Sequence, residues 1–275
     1  MMIGVSNAQQ PSDEHVSGGS CLLGPIDDET ARRRAVSIAH ALAADRATDL
    51  LVSGTPGVDG SDRLPESHRE RHCSSVTPVE SSATLDPIVD RYDPSVLVVK
   101  RRTDQRLFEE LFSDRAERLS TSADVLTVDG RGETDRIASV LIPIAGGDHS
   151  RLAVEAGVAV ARANDAAVDL FHVIDGEDPA ARDRGEAILA AAREAISEEA
   201  VDVDTWLYEA PNAPDAITEQ SQYYDLTVMG APTDGPLERF VFGSTSKQVQ
   251  READSPVIVA HAGADRRESI LPSDP

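Results

Sequence analysis

The chain has 275 residues, enough for two modest domains that each bury a core of their own. Its formal net charge of -23 comes from 49 acidic against 26 basic residues, and the excess is spread over both halves. Such a field repels nucleic acid and anionic lipid, which excludes both as partners.

Apolar residues make up 40% and aromatics only 4% of the chain, a balance that favours helices laid on strands through small contacts. No run reaches the roughly 18 uninterrupted apolar residues of a membrane span. The best stretch, Gly157 to Ile174, is broken by Arg162, Asp165 and Asp169. A basic start followed by an apolar segment is missing at the N-terminus, which points to a cytoplasmic protein. Cys21 and Cys73 are too few for a disulfide framework or a zinc site. Only Lys100 and Lys247 are lysines. An acid-rich, lysine-poor surface is expected of a protein working in molar salt, where screening removes self-repulsion.

In chain order, residues 1–19 read as a disordered arm rich in Gln, Ser, Pro, Asp and Gly. A first strand is expected over 21–26, then a helix with Ala31, Ala35, Ile38 and Leu42 along one face, then a strand over 49–53. Residues 55–72 are polar, contain Gly57, Gly60 and Pro65, and read as a loop. Apolar runs follow at Ser95–Val99 and Val125–Val128.

The second half repeats this plan. Val140-Leu141-Ile142-Pro143-Ile144 echoes Leu22-Leu23-Gly24-Pro25-Ile26, and each run leads through a turn into an alanine-rich helix. Asp225 to Met229 echoes Ser95 to Val99. Thr233-Asp234, Leu237 and Val241-Phe242 echo Thr103-Asp104, Leu107 and Leu111-Phe112 at one constant offset. Ala253-Asp254 echoes Ala123-Asp124, with a one- or two-residue insertion before the last strand. The spacing predicts strands over 138–145, 167–174, 202–208, 225–231 and 256–261, alternating with helices over 149–164, 179–199, 213–222 and 244–252. This order defines an α/β protein of two tandem domains, 20–130 and 136–262. Each is an open parallel five-stranded sheet with helices on both faces, and a disordered tail covers 263–275. Two separate sheets are expected.

Parallel sheets of this kind bind ligands beyond the carboxyl ends of their strands, where the strand order reverses. The loop from Met229 to Lys247 begins where a strand ends and closes where a helix begins. Gly230 would let a ligand approach the backbone, and Ser244 can cap the helix whose free amides favour a phosphate. A plain surface loop with a glycine turn and a serine cap has the same spacing, and both readings stand on the residues alone.

With Gly230 and Gly243-Ser244, the segment resembles the signature Gly-x2-Gly-x9-Gly-[Ser/Thr] of the universal stress protein (UspA-like) family. Leu237-Glu238-Arg239 and the strand Ser255 to Val259 are similar to that family as well. The likeness covers about 136–262 well and 20–129 weakly. It implies an adenine-nucleotide alpha hydrolase-like fold and a non-catalytic regulatory protein holding ATP or AMP, with magnesium, in the second domain. Candidate nucleotide contacts are Ile144, Ala145, Val173, Gly230, Thr233, Gly243, Ser244 and Thr245. Family members pair through the last strand, so an intramolecular pseudo-dimer or a homodimer is implied. Two positions depart from the pattern. Thr233 stands at the middle glycine, and Ala145 stands where nucleotide-binding members carry an aspartate. In the first half Lys100 and Ser113-Asp114 replace the glycines and the Gly-Ser pair, so no nucleotide is expected there.

Other candidates are weaker. His149 and His172 lack metal spacing and read as helix-cap or surface residues. Asp148, Asp175 and Asp178 would hold magnesium beside a nucleotide or serve as solvated turns. Trp206 and Tyr208 read as core and edge packing rather than as a base-stacking platform. Arg101-Arg102 is too small a basic patch for nucleic acid. An alternative function is a nucleotide-free interaction module regulating a membrane transporter or another partner. An adenylating enzyme would need a motif such as His-Ile-Gly-His or Ser-Gly-Gly-x-Asp-Ser, and neither occurs.

Overall fold

The computed structural model describes residues 19–24, 26, 29–53, 76–79, 85–100, 123–129, 136–176, 178–196, 201–231 and 244–264. The arm before residue 19, the loop at 55–72, the stretch 101–122, the segment 232–243 and the tail after 264 lie outside the described residues.

In the first half, β1 (Ser20–Leu23), α1 (Glu29–Asp45), β2 (Asp49–Ser53), β3 (Val76–Val79), α2 (Asp86–Tyr92), β4 (Val96–Lys100) and β5 (Asp124–Val128) follow in order. The second half runs β6 (Ser139–Pro143), α3 (Ser150–Asn164), β7 (Ala167–Ile174), α4 (Pro179–Glu194), β8 (Val203–Glu209), α5 (Ala213–Ser221), β9 (Leu226–Gly230), α6 (Ser244–Glu252) and β10 (Val257–His261). Strands with continuous apolar runs sit between helices on both faces, as buried parallel strands require. One layer packs α1, α3 and α4 on Leu23, Val98, Ile142 and Leu170. The opposite layer includes Leu97, Leu141, Phe171 and Val249 of α6.

Local geometry matches between the two halves at several points. Helices α1 and α3 both end on a left-handed residue, Ala47 at φ 51° and Asp165 at φ 55°. After each, the next amide returns to the helix: Thr48 N–H donates to Ala43 O at 2.8 Å, and Ala166 N–H to Ala161 O at 2.9 Å. The entry to the fourth strand is matched too, with Ser95 N–H donating to Ser20 O and Asp225 N–H to Ser139 O. Helix α3 lies tightly on its sheet through Gly157, where a Cβ would come within 2.4 Å of Ile142 Cδ1.

The halves have strand orders β3-β2-β1-β4-β5 and β8-β7-β6-β9-β10, each parallel, as expected. The expected separation into two sheets does not occur. Antiparallel pairing of β5 with β10, Ile258 opposite Val128 through His261 opposite Val125, joins them into one ten-stranded sheet. Both strands are fully buried and carry no charge except Asp124, so an unpaired edge here would expose apolar surface and backbone polar groups together.

Helices α1 and α3 also meet across the junction. Arg46, just past α1, donates from its Nε to Glu155 Oε1 of α3 at 2.6 Å and from NH2 to Asp124 Oδ2 of β5 at 2.8 Å. The other Asp124 oxygen accepts the Gly263 N–H at 3.0 Å, and Arg162 of α3 pairs with Asp45. Burial works against the Arg46 charge, but the Glu155 and Asp124 carboxylates outweigh it and hold the guanidinium above its ordinary pKa.

Candidate functional site

In the second half the strand order reverses between β6, which leads outward to β7, and β9, which leads the other way to β10. The carboxyl ends of β6 and β9 are therefore where such a sheet opens to a ligand. Ile144, Ala145 and Gly146 leave the end of β6, Gly230 ends β9, and Val173 lies near the end of β7, so four of the candidate residues share this edge. Ser244 and Thr245 open α6. Thr233 and Gly243 fall in the segment outside the described residues, and so does most of the loop that carries the signature.

The geometry changes the reason for glycine at 230. A Cβ there would meet His149 C and O at 3.0 Å and Ser150 N at 3.2 Å. The missing side chain thus admits the first turn of α3 against the end of β9, a packing requirement distinct from ligand approach. After β6, Ala145 is exposed and supplies no carboxylate. Gly146 takes φ +82°, a conformation open to glycine at no steric cost, and its missing Cβ leaves room for Ile188 of α4.

The two histidines brace this edge. His149 precedes α3 and makes no side-chain cap bond; its ring is buried, and Nδ1 accepts the Ala262 N–H at 3.0 Å. The His261 ring lies 4.4 Å away, centroid to centroid. His172 is half-buried against α4, where Gly185 leaves it room, and its Nδ1–H donates to Ile144 O at 2.6 Å. His149 stands at the N-cap of α3 as a helix-cap residue would, but its ring bonds outside the helix, and His172 is half-buried rather than on the surface. The His149 ring ties the start of α3 to the residue after β10, and the His172 ring ties β7 to the residue after β6.

Of the acidic candidates, Asp178 caps α4 by accepting the Ala180 N–H at 3.1 Å, while Asp175 is exposed. Among the described residues no group of three or more His, Cys, Asp or Glu side chains is placed to hold a metal. Trp206 departs from the expectation of core packing, and Tyr208 packs at the sheet edge. They are 56% and 37% exposed on β8, although Tyr208 still packs 5.6 Å from the Phe171 ring. Period-2 alternation places them on the face opposite α4, and β8 is the last strand of the sheet, so little is available to cover them. Sequence reasoning missed the junction of Arg46, Asp124 and Glu155, and also the Tyr224 hydroxyl bound to Asp169. A buried acid at the start of β5 was the available signal for the first; the second had none.

A doubly covered parallel sheet whose strand order reverses between β6 and β9 defines a doubly wound α/β domain. Residues 137–261 match the sequence model of the Universal stress protein family, and the second half of the chain belongs to that family. No curated protein sequence matches the chain. A universal stress protein from Archaeoglobus fulgidus DSM 4304 superposes with a TM-score of 0.52 at 16% identity, covering 90% of this chain and 98% of that one. The cytoplasmic domain of a prokaryotic cation chloride cotransporter superposes with a TM-score of 0.57 at 13% identity, again covering 90% and 98%. At these identities the two structures show a shared fold that takes in both halves. Among the described residues no helix is long and apolar enough to cross a membrane.

Proposed function

We propose that this chain is a non-catalytic regulatory protein of the stress-response type, whose second half holds ATP or AMP and whose first half is a degenerate copy acting as its built-in partner. The observation that carries the reading is the loop between β9 and α6. It joins the ligand edge of the sheet to a helix start, and Gly230 and Gly243-Ser244 stand there at the family's spacing. In this arrangement the phosphates rest on the amides that open α6, the sugar lies near Gly230 and Thr233, and the base lies toward Val173. Magnesium enters with the phosphates. The pairing of β5 with β10 supports an intramolecular pseudo-dimer, since it uses the last strand of each half. A cytoplasmic location in a salt-rich cell accords with the acidic, lysine-poor composition.

A second reading is favoured by Ala145, exposed and uncharged where the family's nucleotide binders carry an aspartate. In that reading the chain is a nucleotide-free module that regulates a membrane transporter or another protein. The shared fold of the cotransporter's cytoplasmic domain supports that reading.

Calorimetry with ATP and mass spectrometry of small molecules released from protein purified in high salt separate the two. The wild type is expected to bind. Gly243→Asp places a negative charge where a phosphate must sit and weakens binding on the order of ten- to a hundredfold. Thr233→Gly restores the family's middle glycine and tightens it. Undetectable binding by all three proteins would remove the nucleotide reading and leave the interaction module.

A further inference from the structure

The ten-stranded sheet ends in two unlike edges. At one end β3 has four residues and is interrupted by Pro78, which has no N–H to offer a further strand. At the other end β8 has seven residues, no proline, and two of the three large apolar side chains exposed among the described residues.

The hydrogen-bond ladder shows which groups β8 leaves open. Val168 N–H donates to Asp202 O at 2.8 Å, and Ala210 N–H to Ile174 O at 3.0 Å. In a parallel ladder this turns the backbone of the even-numbered residues toward β7 and that of Val203, Thr205, Leu207 and Glu209 outward. Val203 O is taken by Arg193 of α4. Thr205 and Leu207 therefore present N–H and C=O groups along the open side, and no described strand pairs with them.

The side chains beside this edge select a partner by charge. Asp202 and Asp204 are exposed next to Trp206, whereas Glu209 at the far end is already paired with Arg182. Asp204, Trp206 and Tyr208 share one face by alternation. An indole next to a carboxylate favours a guanidinium or ammonium, which gains from the ring and from the charge together. The chain's own excess of acid works against an acidic occupant.

We propose that the open edge of β8 docks an extended, arginine- or lysine-bearing segment of a partner protein, which adds as an eleventh strand beside Thr205 and Leu207 and places a cation over Trp206. Main-chain bonds supply affinity and the acidic aromatic face supplies choice. β8 is separated from β9 by β6 and β7 in the sheet, and the docking does not depend on ATP.

Trp206 is the sole tryptophan of the chain, so its emission reports on this edge alone. The test titrates the full chain with a capped octapeptide alternating arginine and valine, and with its glutamate–valine counterpart. The first is expected to shift Trp206 emission to shorter wavelength saturably, and the second to leave it unchanged. Thr205→Pro removes an outward N–H without touching the β7 ladder and should weaken binding about tenfold. Trp206→Ser, followed by calorimetry, should lose affinity as well. If Thr205→Pro does not fold, wild type is titrated instead with the arginine–valine octapeptide N-methylated at alternate residues, and the same loss is expected. The proposal is overturned by no binding, by equal binding of the two octapeptides, or by indifference to both the proline and the N-methyl groups. It is also overturned if sedimentation shows a wild-type dimer that Thr205→Pro dissociates, because the edge then joins two copies of this chain.

Discussion

At position 230 the decisive contact is with backbone, which cannot rotate away as a side chain can. Gly230→Ala must push the His149 carbonyl and the Ser150 amide back by a few tenths of an ångström or more, and those atoms begin α3. Overpacking of this kind costs about 1–3 kcal/mol. The guanidinium chloride midpoint should fall accordingly, and an unchanged midpoint would show that the first turn of α3 yields freely. Tyr224 provides a second test. Burial raises the pKa of its hydroxyl, and the bond to Asp169 together with the charges of Asp169 and Asp204 raises it further. A raised acid keeps its proton in the folded state while the unfolded chain ionises from its ordinary 10.0 upward. The contribution is thus complete below that pH and is lost as pH rises toward the folded pKa. Tyr224→Phe should show a shallower loss of stability above about pH 10 than wild type. Parallel alkaline slopes for the two proteins would contradict the assignment.

Among the elements, α1, α3 and β5 meet around an ion pair largely withdrawn from solvent. The Arg46 side chain is 10% exposed and that of Asp124 is fully buried. Their attraction alone is a poor measure of stability, since both ions were taken out of water to form it. Removing one partner is different: Arg46→Met takes away the guanidinium that Asp124 is buried against, a class of change that costs about 3–5 kcal/mol. Urea unfolding should show this loss, and adding Asp124→Asn to Arg46→Met should recover part of it. A fully additive double variant would mean that the two groups do not act as a pair. The same junction explains why one expectation from the sequence failed. Helix and strand boundaries follow from local periodicity, and β7 and α3 agree with it to within a residue. The joining of β5 to β10 depends on two edges that are far apart in the chain and become neighbours only when both halves are folded.

For the molecule as a whole, the net charge of -23 acts at long range. At low ionic strength the carboxylates repel one another across the surface, and at molar salt the Debye length falls to about 3 Å and the repulsion is screened. The melting temperature should rise steeply from low to molar KCl. Equal melting temperatures would remove the salt-adapted reading, because composition alone supports it.

The sequence by itself determined the alternation of strands and helices and the strand ends at β6 and β9. These follow from short-range periodicity, from Pro143 and Gly230 at strand ends, and from Asp178-Pro179 opening α4. Tertiary structure decided the rest. Glycine at 230 fits α3 as well as a ligand edge, and only the placement of His149 beside it reveals the packing role. The rings of His149 and His172 find their carbonyl and amide partners through contacts that no spacing encodes. Trp206 sits on the same kind of alternating strand as a buried aromatic would, and its exposure depends on β8 being last in the sheet. Periodicity assigns a residue to a face, but whether anything covers that face depends on neighbours that arrive from distant parts of the chain.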